Sequence, residues 1–195
     1  MLPEQGMILR TITGKISIKQ MLYLMNRGER LRRVLICSCH FTQNLAFYRA
    51  GWNNKQLTRK EEFWRRINGN CLDLAVIEWC KLFGDFSGKH YWKNIVTDKA
   101  AFSSDLFDLV GGEADLDAYV KKVRTYRDKF VAHLDDELTA NTPNMQDALI
   151  ASRFYYKHIH DEAKSLGVIS RLPDDIEVFY DYWFDLARSE YEKKT

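Results

Sequence analysis

The sequence predicts an all-α fold, a single helical bundle, and three observations carry that prediction. Proline occurs at positions 3, 143 and 173 alone, against an average usage of roughly 5%, so nothing between Pro3 and Pro143 forbids a helix. Apolar residues recur at spacings of three and four, and no alternating stretch of useful length marks a strand. Capping residues and glycines fall where those periodic segments begin and end. With 195 residues, 46% apolar and 29% charged, the chain is long enough for one sizeable core and short for two.

Residues 1–16 are mixed and punctuated by glycine, and are expected to form an irregular arm. A helix begins near Ser17, and a break at Gly28 separates it from a second over 29–48. On this reading 1–28 form an arm with a short helix, and 29–192 the bundle. Leu31, Leu35, Cys39, Thr42 and Leu45 give the second helix a narrow apolar stripe beside a basic face. A polar loop over 51–57 follows. Thr58 offers an N-cap and Glu61 the partner of a capping box for a helix that runs through Phe63, Ile67, Cys71 and Leu74 to Gly84. Asn68-Gly69-Asn70 is its weak point, where a kink or division is expected. The stretch 90–96 reads equally well in either state. A short helix over 104–110 stops at Gly111-Gly112, and a longer one spans 115–135. Thr142, with Pro143 in the first turn, opens a helix that ends at Gly167. The last begins at Pro173, where Asp174 and Asp175 suit the positive end of the helix dipole, and buries Ile176, Phe179, Trp183 and Leu186/Ala187.

The net charge of +2 hides an asymmetry: residues 1–66 carry +9 and the remainder −7. Such a distribution either attracts an anionic partner such as nucleic acid or pairs the two portions across a folded interface, and the second is the commoner arrangement. Arg30, Arg32 and Arg33 with Arg65 and Arg66 are the candidates for a surface that tracks RNA. Cys37 and Cys39 diverge on a helix, as do Cys71 and Cys80, so no local disulfide is expected and a reducing compartment is implied. No apolar run approaches the ~18 residues of a membrane span, and no signal-peptide pattern opens the chain. A cytoplasmic protein without a membrane partner is expected.

Several suggestive strings read better as packing. Cys37-Ser38-Cys39-His40 and His158-Ile159-His160 lack the second ligand pair of a tetrahedral zinc site, so no metal is expected. Phe154-Tyr155-Tyr156 and the aromatics of 179–184 stand at core-like helical spacing. No glycine-rich phosphate loop, serine elbow or dinucleotide fingerprint occurs, and no cofactor is expected.

The helix over 115–135 carries the one arrangement that suggests chemistry. Leu116, Val120, Val123, Arg127, Phe130 and Leu134 form a 4-3-4-3-4 series whose fourth member is an arginine. At α-helical pitch Arg127 and His133 flank Phe130 by about 60° on either side and stand about 9 Å apart along the axis, so both border one groove. A guanidinium on a packing face needs an anionic partner: Asp128, an acid on a neighbouring helix, or a bound phosphate. Other Arg/His pairs of similar spacing occur (Arg33/His40, Arg153/His158 and Arg153/His160), but Arg127 alone interrupts a packing stripe and has a polar neighbour in Asp128.

The string 127–135, RDKFVAHLD, resembles the signature of the HEPN superfamily of helical proteins, an Arg, a polar residue and then a His. It is similar in particular to the abortive-infection branch in bacteria, as are His90-Tyr91-Trp92-Lys93 and the segment from Leu172 to Trp183. The resemblance implies a HEPN-like bundle that acts as a metal-independent endoribonuclease in a two-fold dimer, a toxin or phage-defence effector with a cognate antitoxin protein. It implies that His133 is the general acid/base and that Arg127 grips and stabilises phosphate. Asp128 would orient the arginine, and Lys122 and Lys129 would attract the RNA backbone. The products would be a cyclic phosphate and a 5′-hydroxyl. The alternative is a noncatalytic HEPN-like module that binds a nucleotide or a protein. A Tyr two positions after the His, modified in another branch, is replaced by Asp135.

Overall fold

The computed structural model describes residues 17–132 and 141–193. Among them are seven α-helices, one π turn and one minimal hairpin, so the fold is all-α, as predicted.

Helix α1 (Ile18–Ala50) opens with a complete capping box: Ser17 Oγ accepts from the Gln20 N–H at 3.2 Å, and Gln20 Oε1 from the Ser17 N–H at 2.9 Å. It runs unbroken through Gly28, where a break was expected. A Cβ at 28 would stand 3.0 Å from Val168 Cγ1, so this glycine serves close packing and its helical penalty of about 1 kcal/mol is offset by that contact. Beside it the Arg27 fork grips both Glu162 oxygens, at 2.8 Å each. Arg32 donates to the carbonyls of Val168 and Ser170 at 2.8 and 2.9 Å.

After α1, strands β1 (Trp52–Asn53) and β2 (Gln56–Leu57) pair antiparallel. Asn54 and Lys55 supply the positive φ angles, 47° and 64°, that a two-residue hairpin turn demands. The Thr58 N–H closes the hairpin on the Gly51 carbonyl at 2.8 Å, so Thr58 does not cap the next helix. Helix α2 (Glu62–Phe83) therefore starts four residues later than expected, and the Glu61 carboxylate accepts from Arg59 Nε at 2.8 Å instead of completing a box.

No kink divides α2 at Asn68. The Asn68 amide is buried and satisfied: Nδ2 donates to the Tyr48 carbonyl at 2.8 Å and to the Tyr191 hydroxyl at 3.1 Å, and Oδ1 accepts from Trp52 Nε1 at 2.9 Å. Helix α3 (Trp92–Ile95) settles the 90–96 stretch as one helical turn with both terminal residues buried. Helix α4 (Lys99–Val110) begins five residues early because Asp98 caps it, accepting from the Ala101 N–H at 3.0 Å. It ends at left-handed Gly111 as expected.

Helix α5 (Glu113–Tyr126) passes into the π turn Arg127–Ala132. Helix α6 (Gln146–Ser165) starts beyond Thr142 and Pro143, with Asn144 Oδ1 accepting from the Gln146 N–H at 3.0 Å. It closes at left-handed Gly167 with the paired terminal bonds Val168 N–H to Ala163 O and Gly167 N–H to Lys164 O. Helix α7 (Ile176–Glu192) is capped by Asp175, which accepts from the Glu177 N–H at 2.7 Å. It buries Ile176, Ala187 and Tyr191, while Phe179 and Trp183 are half-buried and Leu186 is exposed.

Helix α1 packs against α2, α6 and α7. The core is aromatic at its centre: Trp79 and Phe83 stack with centroids 5.1 Å apart, Phe83 meets Tyr155 edge-on at 5.7 Å, and Phe102 reaches Tyr155 at 5.7 Å and Phe154 at 4.8 Å. The aromatic run 154–156 is packing material. Replacing Asn68 by Ala strands the Trp52 indole N–H and the Tyr48 carbonyl and removes a buried bond of Tyr191. We expect a loss of about 2–3 kcal/mol, read as a lower urea midpoint at unchanged slope.

Candidate functional site

The arginine found in the packing stripe of α5 is where the stripe predicts it. Leu116, Val120 and Val123 are buried, and Arg127 continues their line towards α2. There it acts on the buried Cys80 thiol and on Asp85. Its guanidinium keeps about a quarter of its surface exposed (24%) and takes Asp128 as its partner. Nε lies 2.7 Å and Nη2 2.6 Å from the same Asp128 oxygen. Burial opposes the charge of Arg127, but the Asp128 hydrogen bond and the neighbouring Cys80, Asp128 and Asp85 outweigh it and raise the pKa. The anionic partner that the sequence argument required is therefore the adjacent residue.

The backbone at this point departs from expectation. From Arg127 to Ala132 the chain is a π turn, closed by i→i+5 instead of i→i+4 bonds, a rare device concentrated at functional sites. A π turn rotates less per residue than an α-helix, so the 60° offsets reckoned at α-helical pitch do not carry through this segment. His133, the other half of the motif, lies outside the described residues.

Two grooves flank the exposed ridge of α5. One, of about 370 Å³, is lined by Lys121, Lys122, Thr125, Lys129, Phe130 and Asn141. The other, of about 440 Å³, is lined by Phe86, Asp117, Lys121, Arg124, Thr125 and Asp128. Lys122 and Lys129 thus share the first groove, Asp128 borders the second, and half-buried Arg127 lines neither. Lys121 and Arg124 were not singled out in the sequence. Their signal was available, since cations three apart on the motif helix reach one groove, the second. Arg124 also lies over the Phe86 ring at 4.8 Å.

The arginines of the basic portion separate into two groups. Arg30 and Arg33 are exposed on α1, and Arg65 and Arg66 are exposed near the start of α2. The antiparallel pairing of α1 and α2, fixed by Asn68 on the Tyr48 carbonyl, puts these groups roughly 25 Å apart along α1. Arg66 is engaged by Glu62 at 2.9 Å. Among the described residues one ion pair, Arg27–Glu162, joins the basic portion to the acidic one. Among the described residues, pairing across the fold therefore engages few of these cations.

The cysteine and histidine strings do not converge. Cys37 lies beside Glu78 and Cys39 beside Tyr156, while His40 is exposed. His158 packs edge-on against Phe102 at 4.8 Å, and His160 is buried on Tyr156 at 5.6 Å. Among the described residues no three His, Cys, Asp or Glu side chains gather as a metal site, and no helix is long and apolar enough to cross a membrane. Compared with protein-family profiles, with curated proteins and with solved structures, the chain matches none.

Burial pushes the Cys80 thiol up to about 11, against a smaller opposing pull from Arg127, and holds Cys37 and Cys71 at about 11 and Cys39 at about 12. All four stay protonated at pH 8, where the thiolate is the reactive form. We expect the native protein to react with Ellman's reagent far more slowly than the urea-unfolded chain, with Cys37, the one half-buried thiol, leading.

Proposed function

We propose that this protein is a metal-independent endoribonuclease of the HEPN type, acting as a toxin or phage-defence effector in the form of a two-fold dimer. The observation that carries the reading is the π turn. The chain departs from α-helical geometry over the residues that open the RDKFVAHLD string, at the Arg127–Asp128 pair and beside grooves lined by Lys121, Lys122 and Lys129. An irregularity of this kind survives where local geometry serves something other than packing.

In this reading RNA is held along the α5 ridge by its lysines. His133 takes the proton from a ribose 2′-hydroxyl, and the 2′-oxygen attacks the adjacent phosphorus. The 5′-oxygen leaves with a proton returned to it, giving a 2′,3′-cyclic phosphate and a 5′-hydroxyl. Arg127, oriented by Asp128, hydrogen-bonds the non-bridging oxygens as their charge grows. A second copy sets its own Arg127 and His133 across the cleft, and a cognate antitoxin protein holds the pair inactive.

The test is cleavage of single-stranded RNA by purified protein in EDTA. His133→Ala and Arg127→Ala are each expected to lower the rate at least about a hundredfold, with unchanged circular dichroism and products ending in cyclic phosphate. Protein free of contaminating nuclease that leaves every RNA intact overturns the reading. It would favour the noncatalytic alternative, in which nucleotide or partner binding is insensitive to His133→Ala.

A further inference from the structure

The register that separates Arg30 and Arg33 from Arg65 and Arg66 brings the first pair to a different set of neighbours. The Asn68 bond to the Tyr48 carbonyl sets the antiparallel register of α1 and α2, which brings Cys37 beside Glu78. Arg33 and Arg30, one and two turns earlier on α1, therefore run beside the last turn of α2 and the turn that follows it. That region carries Lys81, Lys89 and His90. Arg30, Arg33 and Lys89 are all exposed and have no carboxylate within ion-pair distance among the described residues, while Lys81 pairs with Glu78 at 2.7 Å. His90, partly buried, sits among them. After its own burial, the groups that hold its pKa below the ordinary imidazole value are Arg33, Arg30, Lys81 and Lys89, all cations.

Three unpaired cations gathered from two elements repel one another. The C-terminus of α2, with the Gly84 N–H on the Cys80 carbonyl, offers only about half a negative charge to offset them. The turn over 85–91 has a second side. Asp85 acts on Arg127, and the Phe86 ring carries Arg124. The same turn therefore separates the cluster at Lys89 and His90 from the ridge of α5, and the two cationic surfaces flank it.

We infer that Arg30, Arg33, Lys89 and His90 form a second phosphate-contacting site for the backbone of single-stranded RNA, across the 85–91 turn from the α5 ridge. A strand lying on α5 continues over this turn, and three of its phosphates replace the missing carboxylates. The inference shares with the proposed function the premise that the ligand is RNA, but it requires no cleavage.

The test measures binding of a fluorescent, uncleavable 2′-O-methyl oligoribonucleotide to the full chain by anisotropy across a salt series. The triple variant Arg30→Ala, Arg33→Ala, Lys89→Ala is expected to bind at least about tenfold more weakly, with the slope of log K against log salt shallower by about 2. Arg65→Ala, Arg66→Ala should stay within about twofold of wild type, and matching urea midpoints show that both variants fold. Equal affinity of the triple variant and wild type overturns the inference, as does a wild type that binds no oligonucleotide. Displacement of the RNA by polyglutamate at equal charge also overturns it, pointing to an acidic protein as the occupant. Cluster-dependent binding by a wild type that cleaves nothing sustains this site while the ribonuclease reading falls.

Discussion

The buried amide of Asn68 fixes the register of α2 against α1, and the placement of the exposed arginines on both helices follows from that register. One side chain joins the last turn of α1, the hairpin after it and the C-terminal turn of α7. Its donors and acceptor are all satisfied in a setting where an unpaired amide would cost on the order of 1–3 kcal/mol. Gly51 leaves room for it, since a Cβ there would come within 2.4 Å of Asn68 Nδ2. With that end pinned, Cys37 falls opposite Glu78, Trp79 points towards Tyr119, and Cys80 faces Arg127. A slip of one residue would rotate each of these contacts by 100°.

The same register sorts the positive charge of the first third of the chain. Arg27 and Arg32 are committed to structure, the first through Glu162 and the second through carbonyls after α6. Arg30 and Arg33 lie between and beyond them on the exposed side of α1. Their position thus follows from helical phase: two arginines of this basic stretch are fastened to the bundle and two are turned outward.

Much of the fold was legible because its boundaries are set by local chemistry. Ser17 with Gln20, Gly111, Gly167 and Asp175 act through neighbours a few residues away, and their positions in the sequence announce where helices start and stop. The departures arise where a distant residue decides. Gly28 looks like a break until Val168 is seen against it. Thr58 and Glu61 read as a capping box, but Thr58 is taken by a hairpin whose turn residues, Asn54 and Lys55, lack the usual glycine. Asn68-Gly69-Asn70 reads as a weak point, and becomes the best-anchored part of α2. At the candidate site, the burial of the Arg127 stripe was readable from periodicity. The π turn was not, because the series from Leu116 to Phe130 fits an ordinary helix and the change of winding has no signature in residue type. The two arginine groups looked like one surface because their types match, and only the antiparallel pairing separates them.

The π turn also gives the chain an unusual dependence on its own length. Each i→i+5 ring encloses one residue more than the i→i+4 ring of the helix leading into it, so the turn behaves as a single surplus residue stored in the backbone. Deleting one residue within 127–132 would let the helix close in its cheaper geometry, which is a gain for the backbone taken alone. Within the turn, Asp128, Lys129 and Phe130 would lose the winding that sets them against the grooves they line. Here a shorter, more regular helix would be a chemically different one.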